Sequence, residues 1–317
     1  MTAAVPDPST GNASARLGFV DLQVNGYAGV DFNSPLTVGD LERVCTQLRD
    51  DGVASILATV ITDDVQRMTQ RITELRQARD QSPVVRDVIA GIHIEGPFIS
   101  PEPGYVGAHP AAAVRPAELP PMQRLVAAGE GLVRIVTLAP EHDDRCQVTK
   151  WLTDNRIVVS AGHCNPSLER LRMAIDQGLS MFTHLGNGCP RQLDRHDNII
   201  QRVLSLAEHL WIGFIADGIH VPFPALGNYL AAAGISRAFV VTDAISAAGL
   251  GPGCYRLGER EVVVDEQLAT WSADGAHLAG AATTMPRAYQ NLQEGLGLSA
   301  EDAQRLTVDN PTAAIAL

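Results

Sequence analysis

No stretch of this 317-residue sequence approaches the roughly 20 consecutive apolar residues that cross a bilayer, so no transmembrane helix is expected. Cysteine is scarce. Cys45, Cys146, Cys164, Cys189 and Cys254 are odd in number and include no CxxC, which argues against a disulfide framework or a zinc ribbon and suits a reducing cytoplasm. Positive charge is in deficit: 24 Lys and Arg stand against 36 Asp and Glu, a net charge of −12. Such a chain is a poor candidate for binding nucleic acid or an anionic membrane, although a local basic pocket for a small anion remains open to it. Residues 1–17 are rich in Ala, Ser, Thr and Pro and lack the apolar core of a signal peptide; they read as a disordered tail. There is no internal repeat, no low-complexity linker and no GxGxxG after the first apolar run, which argues against a dinucleotide fold.

What the sequence does contain is a rhythm. Short, continuous apolar runs alternate with helical patterns from residue 18 to about 243. The expected strands are 18–25, 55–59, 88–95, 132–138, 157–161, 181–183, 210–215 and 237–241. The expected helices between them are 37–51, 65–79, 116–128, 143–155, 167–177, 199–207 and 222–233. Unbroken apolar strands are the pattern of parallel strands buried on both faces. Eight such βα units in about 250 residues predict an α/β TIM (β/α)8 barrel, with a doubly wound sheet as the alternative. Residues 18–317 then form a single barrel domain. A small β excursion is expected near 254–271, and helices near 283–296 and 299–306 end the chain.

In a TIM barrel the chemistry gathers where strands end. Here those ends carry Gln23-Val24-Asn25, His93-Ile94-Glu95, Gly162-His163, Thr183-His184 and Thr242-Asp243, with Asp217-Gly218-Ile219-His220 just beyond strand seven. One such histidine would be ordinary core packing; acids and imidazoles at successive ends form a pattern. A carboxylate with two neutral imidazoles leaves an open position for water, the arrangement of catalytic zinc. Such a metal lowers the pKa of its water toward ~7 and polarises a carbonyl. An aspartate nearby can move the proton from water to a leaving amine. The chemistry that follows is hydrolysis of an amide or a related bond.

Nine segments, in order, resemble the N-acetylglucosamine-6-phosphate deacetylase family of the amidohydrolase superfamily. They are Phe19-Val20-Asp21-Leu22-Gln23-Val24-Asn25-Gly26, His93-Ile94-Glu95-Gly96-Pro97-Phe98, Leu138-Ala139-Pro140-Glu141, Gly162-His163, Thr183-His184-Leu185, Ile215-Ala216-Asp217-Gly218-Ile219-His220, Val241-Thr242-Asp243-Ala244, Leu278-Ala279-Gly280 and Asn310-Pro311. The resemblance implies a metal-dependent barrel that removes the acetyl group from an N-acetylated amino sugar 6-phosphate. It implies Glu95, His163 and His184 as metal ligands, Asp243 as general base and acid, and His109 as the group that helps polarise the acetyl carbonyl. His220, Ala108, Asn187, Gly188, Leu278, Ala279 and Gly280 are implied substrate contacts. Arg195 matches an arginine that meets the sugar phosphate, in relatives from a neighbouring subunit, so a homodimer is the implied assembly. Many amidohydrolases have His-x-His where this chain has Gln23-x-Asn25. Amides are poor transition-metal ligands, so one divalent ion per chain, zinc, is expected.

The sequence departs from the family in two places. Family barrels carry both halves of a flanking β-sandwich. Here about 17 residues precede the first strand and the chain ends just after Asn310-Pro311, so most of the sandwich is expected to be missing. The loop Cys189-Pro190-Arg191-Gln192-Leu193-Asp194-Arg195-His196-Asp197-Asn198 is unlike the usual pattern. Other readings are therefore kept: an amidohydrolase of another N-acyl amino sugar, an N-acyl amino acid or a cyclic amide, or a catalytically silent sugar-phosphate binding protein. Cys164, Cys189 and the His142-Asp143-Asp144 run read as structural, the acids opening a helix. His93 shares a strand face with Glu95 and could support it; His209 and His277 are left unassigned.

Overall fold

The computed structural model describes residues 18–257, 260–272, 275 and 278–316. The tail expected at 1–17 and His277 lie outside the described residues. Eight parallel strands follow one another round a single sheet in chain order: β1 (Phe19–Val24), β2 (Val53–Ile61), β3 (Ile89–Glu95), β4 (Val133–Leu138), β5 (Val158–Ala161), β6 (Leu179–Phe182), β7 (Trp211–Ile215) and β8 (Ala238–Val241). The ring closes just past β8. Asp243 N–H donates to the Gln23 carbonyl at 3.0 Å and Asn25 N–H to the Ala244 carbonyl at 2.8 Å. This is the expected TIM barrel, and a doubly wound sheet is excluded.

Two apolar layers hold it. Leu22, Leu57, Ile135, Val158, Met181, Ile215, Phe239 and Val241 fill the inside, and Ala314 and Ile315 pack on them from the chain's end. The larger layer lies between the barrel wall and the helices. Asn310 anchors the C-terminal segment by donating to the carbonyls of Ile235 and Ala238 at 2.7 and 2.6 Å. The helices start where side chains can satisfy their free N–H groups. Thr37 and Asp40 form a capping box, and Ser167 caps its helix by accepting from the Arg170 N–H.

Several helices differ from the expectation, and those read as 116–128 and 199–207 are Leu119–Ala128 and Ile199–Leu204. The stretch read as 143–155 begins with 3-10 turns in which Arg145 and Cys146 have φ of 50° and 54°. Asp143 instead caps from a distance, accepting from the N–H groups of Val148 and Thr149, so the α-helix starts at Gln147. An additional short helix, Pro83–Val88, is capped by Ser82. The excursion is a separate antiparallel sheet of β9 (Gly253–Leu257), β10 (Arg260–Val264) and β11 (Thr270–Ser272). The five cysteines are free, and no helix among the described residues is long and apolar enough to cross a membrane.

Candidate active site

The polar side chains gather at the C-terminal mouth of the barrel. Glu95 ends β3, His163 and His184 stand two residues beyond β5 and β6, and Asp243 stands two beyond β8. His163, His184 and Asp243 have φ of 51°, 33° and 53°, left-handed values that cost a non-glycine residue of order 1–3 kcal/mol. Three strained residues of this kind at three strand ends turn their side chains inward over the core.

Three nitrogens converge on one oxygen. Glu95 Oε1 lies 3.0 Å from Gln23 Nε2, 3.1 Å from His184 Nε2 and 3.3 Å from His163 Nε2. His163 donates from Nδ1 to the Tyr105 carbonyl at 2.7 Å. In a neutral ring that leaves the Nε2 lone pair facing a carboxylate oxygen, an arrangement stabilised only by a cation between them. A proton or a metal ion can fill that role. Glu95, His163 and His184 are also the one group of three or more potential ligands found among the described residues, with donor atoms within 4.8 Å of one another. The donor set, one carboxylate and two imidazoles, suits a divalent ion. Gly107 and Gly188 roof it: a Cβ on Gly107 would come within 3.0 Å of the His163 ring, and one on Gly188 within 3.1 Å of His163 and 3.2 Å of His184.

Asp243 stands beside this group with one oxygen engaged. Its Oδ1 accepts from Gln23 Nε2 at 3.0 Å and from Asn25 Nδ2 at 2.7 Å. Gln23 thus joins Asp243 to Glu95. Burial pushes the Asp243 carboxyl up, with the charge of Glu95 adding to it. Burial opposes ionisation of Glu95 too, but the contacts with the His163 and His184 rings overcome it and hold the carboxyl well below its ordinary value. His109 has Nδ1 2.9 Å from Thr62 Oγ1 and Nε2 3.9 Å from Glu95 Oε2. Burial, reinforced by His163, lowers its pKa to about 3, so the ring is neutral at physiological pH.

A scan against protein-family models found no match. The chain is, however, 32% identical to the N-acetylglucosamine-6-phosphate deacetylase of Bacillus subtilis, over 92% of its own length and 73% of the relative's. The chain belongs to the N-acetylglucosamine-6-phosphate deacetylase family. A solved family structure, a single-site variant of the Mycobacterium smegmatis enzyme in complex with N-acetyl-D-glucosamine-6-phosphate, superposes with a TM-score of 0.84 at 30% identity, covering 95% of this chain and 77% of that one. An N-acetylgalactosamine-6-phosphate deacetylase from a Shewanella species is 32% identical over 98% of this chain and 76% of its own.

The fold brings Glu95, His163, His184, His109 and Asp243 together. Gly188 lies over the imidazoles, with Asn187 beside it on the His184 turn, where its N–H donates to the His184 carbonyl at 2.9 Å. Ala108 adjoins His109. Leu278, Ala279 and Gly280 run alongside the Asp243 segment, where Ala281 N–H donates to the Asp243 carbonyl at 3.3 Å. Arg195 stands apart, exposed on the loop that follows Gly188; Arg202 makes the ion pair with Asp197. His93 lies beneath the group and does not join it. It bonds to the Leu22 carbonyl at 3.1 Å and to Thr137 Oγ1 at 2.7 Å. Three partners escaped sequence reasoning: Thr62 behind His109, the Tyr105 carbonyl behind His163, and Asp217 behind His220, whose Nδ1 lies 2.5 Å from Asp217 Oδ2. Only Asp217 had a signal, its place two residues past β7 in the Asp-Gly-x-His run.

Proposed function

We propose that this chain hydrolyses N-acetylglucosamine 6-phosphate to glucosamine 6-phosphate and acetate, using one divalent metal ion, zinc, held by Glu95, His163 and His184. The observation that carries the reading is the convergence of both imidazole Nε2 atoms on Glu95 Oε1 with Asp243 tethered alongside through Gln23, in a chain of this family. When bound, the ion supplies Lewis-acid polarisation of a carbonyl and a water of lowered pKa.

The chain's own residues do the rest. Gln23 and Asn25 occupy Asp243 Oδ1, so Oδ2 takes the proton from the attacking water. Its raised pKa suits a group that must accept a proton and give it up again. Thr62 Oγ1 holds His109 by its Nδ1 at 2.9 Å, and the ring, with its hydrogen on Nε2, meets the acetyl oxygen as negative charge develops. As the carbon–oxygen bond forms and the carbon–nitrogen bond breaks, Asp243 returns its proton to the departing amine. His220, Ala108, Asn187, Gly188, Leu278, Ala279 and Gly280 line the substrate. Arg195 grips the phosphate, and its exposure fits a homodimer in which it reaches the partner's site. A guanidinium meets phosphate with two parallel bonds, a needed local attraction in a chain of net charge −12. Five free cysteines fit a reducing cytoplasm.

Acetate release from a panel of N-acetylhexosamines, each with and without a 6-phosphate, tests this. The glucosamine derivative with phosphate should be turned over fastest. The Shewanella relative favours a second reading, the galactosamine 6-phosphate isomer, which the same panel separates. Release from none of them would refute both.

A further inference from the structure

We propose that Asp217 is the positioning residue that decides which ring nitrogen His220 presents to the substrate. The proposal rests on His220 as a substrate contact and goes beyond it by assigning the group that aims it. The loop after β7 wraps round the Asp217 carboxylate. Oδ1 accepts from the N–H groups of Ile219 and His220 at 2.8 and 2.9 Å, and Oδ2 lies 2.5 Å from His220 Nδ1. Both side chains are almost wholly enclosed, at 3% exposure for His220 and 5% for Asp217. Gly218, between them, has φ +75°, and a Cβ there would come within 2.6 Å of the Phe223 ring, so the loop has little room to take another shape.

The consequence is one of hydrogen positions. Burial raises the Asp217 carboxyl, but the bond from His220, its charge and the two backbone N–H groups outweigh it, so Asp217 is ionised at neutral pH. A carboxylate has no hydrogen to offer, so the hydrogen of the 2.5 Å contact sits on Nδ1. Nε2 points the opposite way and has no protein partner among the described residues. His220 follows the C-terminal end of β7, the same end of the barrel at which Glu95, His163, His184 and Asp243 follow their strands. One carboxylate therefore closes the turn with one oxygen and orients the imidazole with the other, as an aspartate does for the histidine of a serine-protease triad.

Asp217→Asn separates the two roles. The amide oxygen still accepts from both backbone N–H groups, while an NH2 replaces the oxygen facing Nδ1. The ring hydrogen must then move to Nε2. The test is ring-nitrogen NMR of the zinc-loaded enzyme labelled at histidine, with His220 assigned by its loss in His220→Asn, combined with a double-mutant cycle. Wild type should show His220 protonated at Nδ1, and Asp217→Asn should show the hydrogen on Nε2. kcat/KM should fall about 10- to 100-fold, the size usual for losing a group that orients a histidine. The double variant Asp217→Asn with His220→Asn should lose no more than His220→Asn alone. A wild-type ring unprotonated at Nδ1, or additive losses in the cycle, would overturn the proposal. A His220→Asn enzyme with full kcat/KM and an intact Nδ1–H signature in wild type would instead remove His220 from the substrate.

Discussion

Gly188→Ala asks whether the imidazole pair needs its roof. Two effects are expected. Gly188 has φ +61°, and alanine there costs roughly 1 kcal/mol of strain. The new methyl would also stand 3.1 Å from Cε1 and Nδ1 of His163 and 3.2 Å from Cε1 of His184, several tenths of an ångström inside an ordinary contact. His163 cannot retreat without stretching its 2.7 Å bond to the Tyr105 carbonyl. Misplacement by about 1 Å typically costs 10²-fold in rate, so a shift of a few tenths should lower kcat about 10-fold and weaken metal affinity. Gly131→Ala is the control: Gly131 has φ +89° but nothing within 4 Å of its Cβ. It carries the strain without the crowding. Gly131→Ala should lose about 1–2 °C in Tm and Gly188→Ala at least as much, and only Gly188→Ala should lose metal affinity, read by competition with a chromogenic chelator, and kcat. If the two variants behave alike, the glycine is not a roof for the ligands.

Further outcomes follow from the same geometry. Asp243→Asn keeps the bonds from Gln23 and Asn25 within reach but removes the proton acceptor; kcat should fall about 10²- to 10⁴-fold with metal content unchanged, and retention of a tenth of wild-type kcat would dismiss Asp243 as the base. Arg195→Ala should lower kcat/KM steeply on the phosphorylated sugar and hardly at all on the free sugar; equal losses on both would mean a structural role. Burial raises the Asp21 carboxyl to about 7. Between its unfolded pKa near 4 and pH 7 the folded chain therefore holds a proton that the unfolded chain does not, and that stability is present at acid pH and lost as pH rises through 7. Against Asp21→Asn, wild type should lose on the order of a few kcal/mol between pH 5 and pH 8 in denaturant melts, whereas parallel pH curves would show that Asp21 is ionised throughout.

The barrel was legible because its strands are buried on both sides and so are written as unbroken apolar runs, such as Trp211–Ile215 and Ala238–Val241. The candidate ligand trio was legible because strand ends are where a barrel can place polar groups without burying them in its core. Helix boundaries were less so. The 143–155 helix starts late because Asp143 reaches forward to Val148 and Thr149, a choice of cap that residue types alone do not settle. The partners of the site residues were least legible. Thr62 meets His109 across 47 positions and the Tyr105 carbonyl meets His163 across 58, so only the folded chain joins them. The left-handed backbone of His163, His184 and Asp243 has no signal in residue type at all, since it is imposed by the strands that carry them.

In the proposed reaction one metal ion, held by Glu95, His163 and His184, makes this chain a deacetylase. Titrating the metal-stripped protein with zinc while following acetate release from N-acetylglucosamine 6-phosphate tests it most directly. Activity should rise linearly and break at one equivalent per chain, with no such rise in Glu95→Ala. Full activity in the stripped protein, or a break at two equivalents, would contradict it.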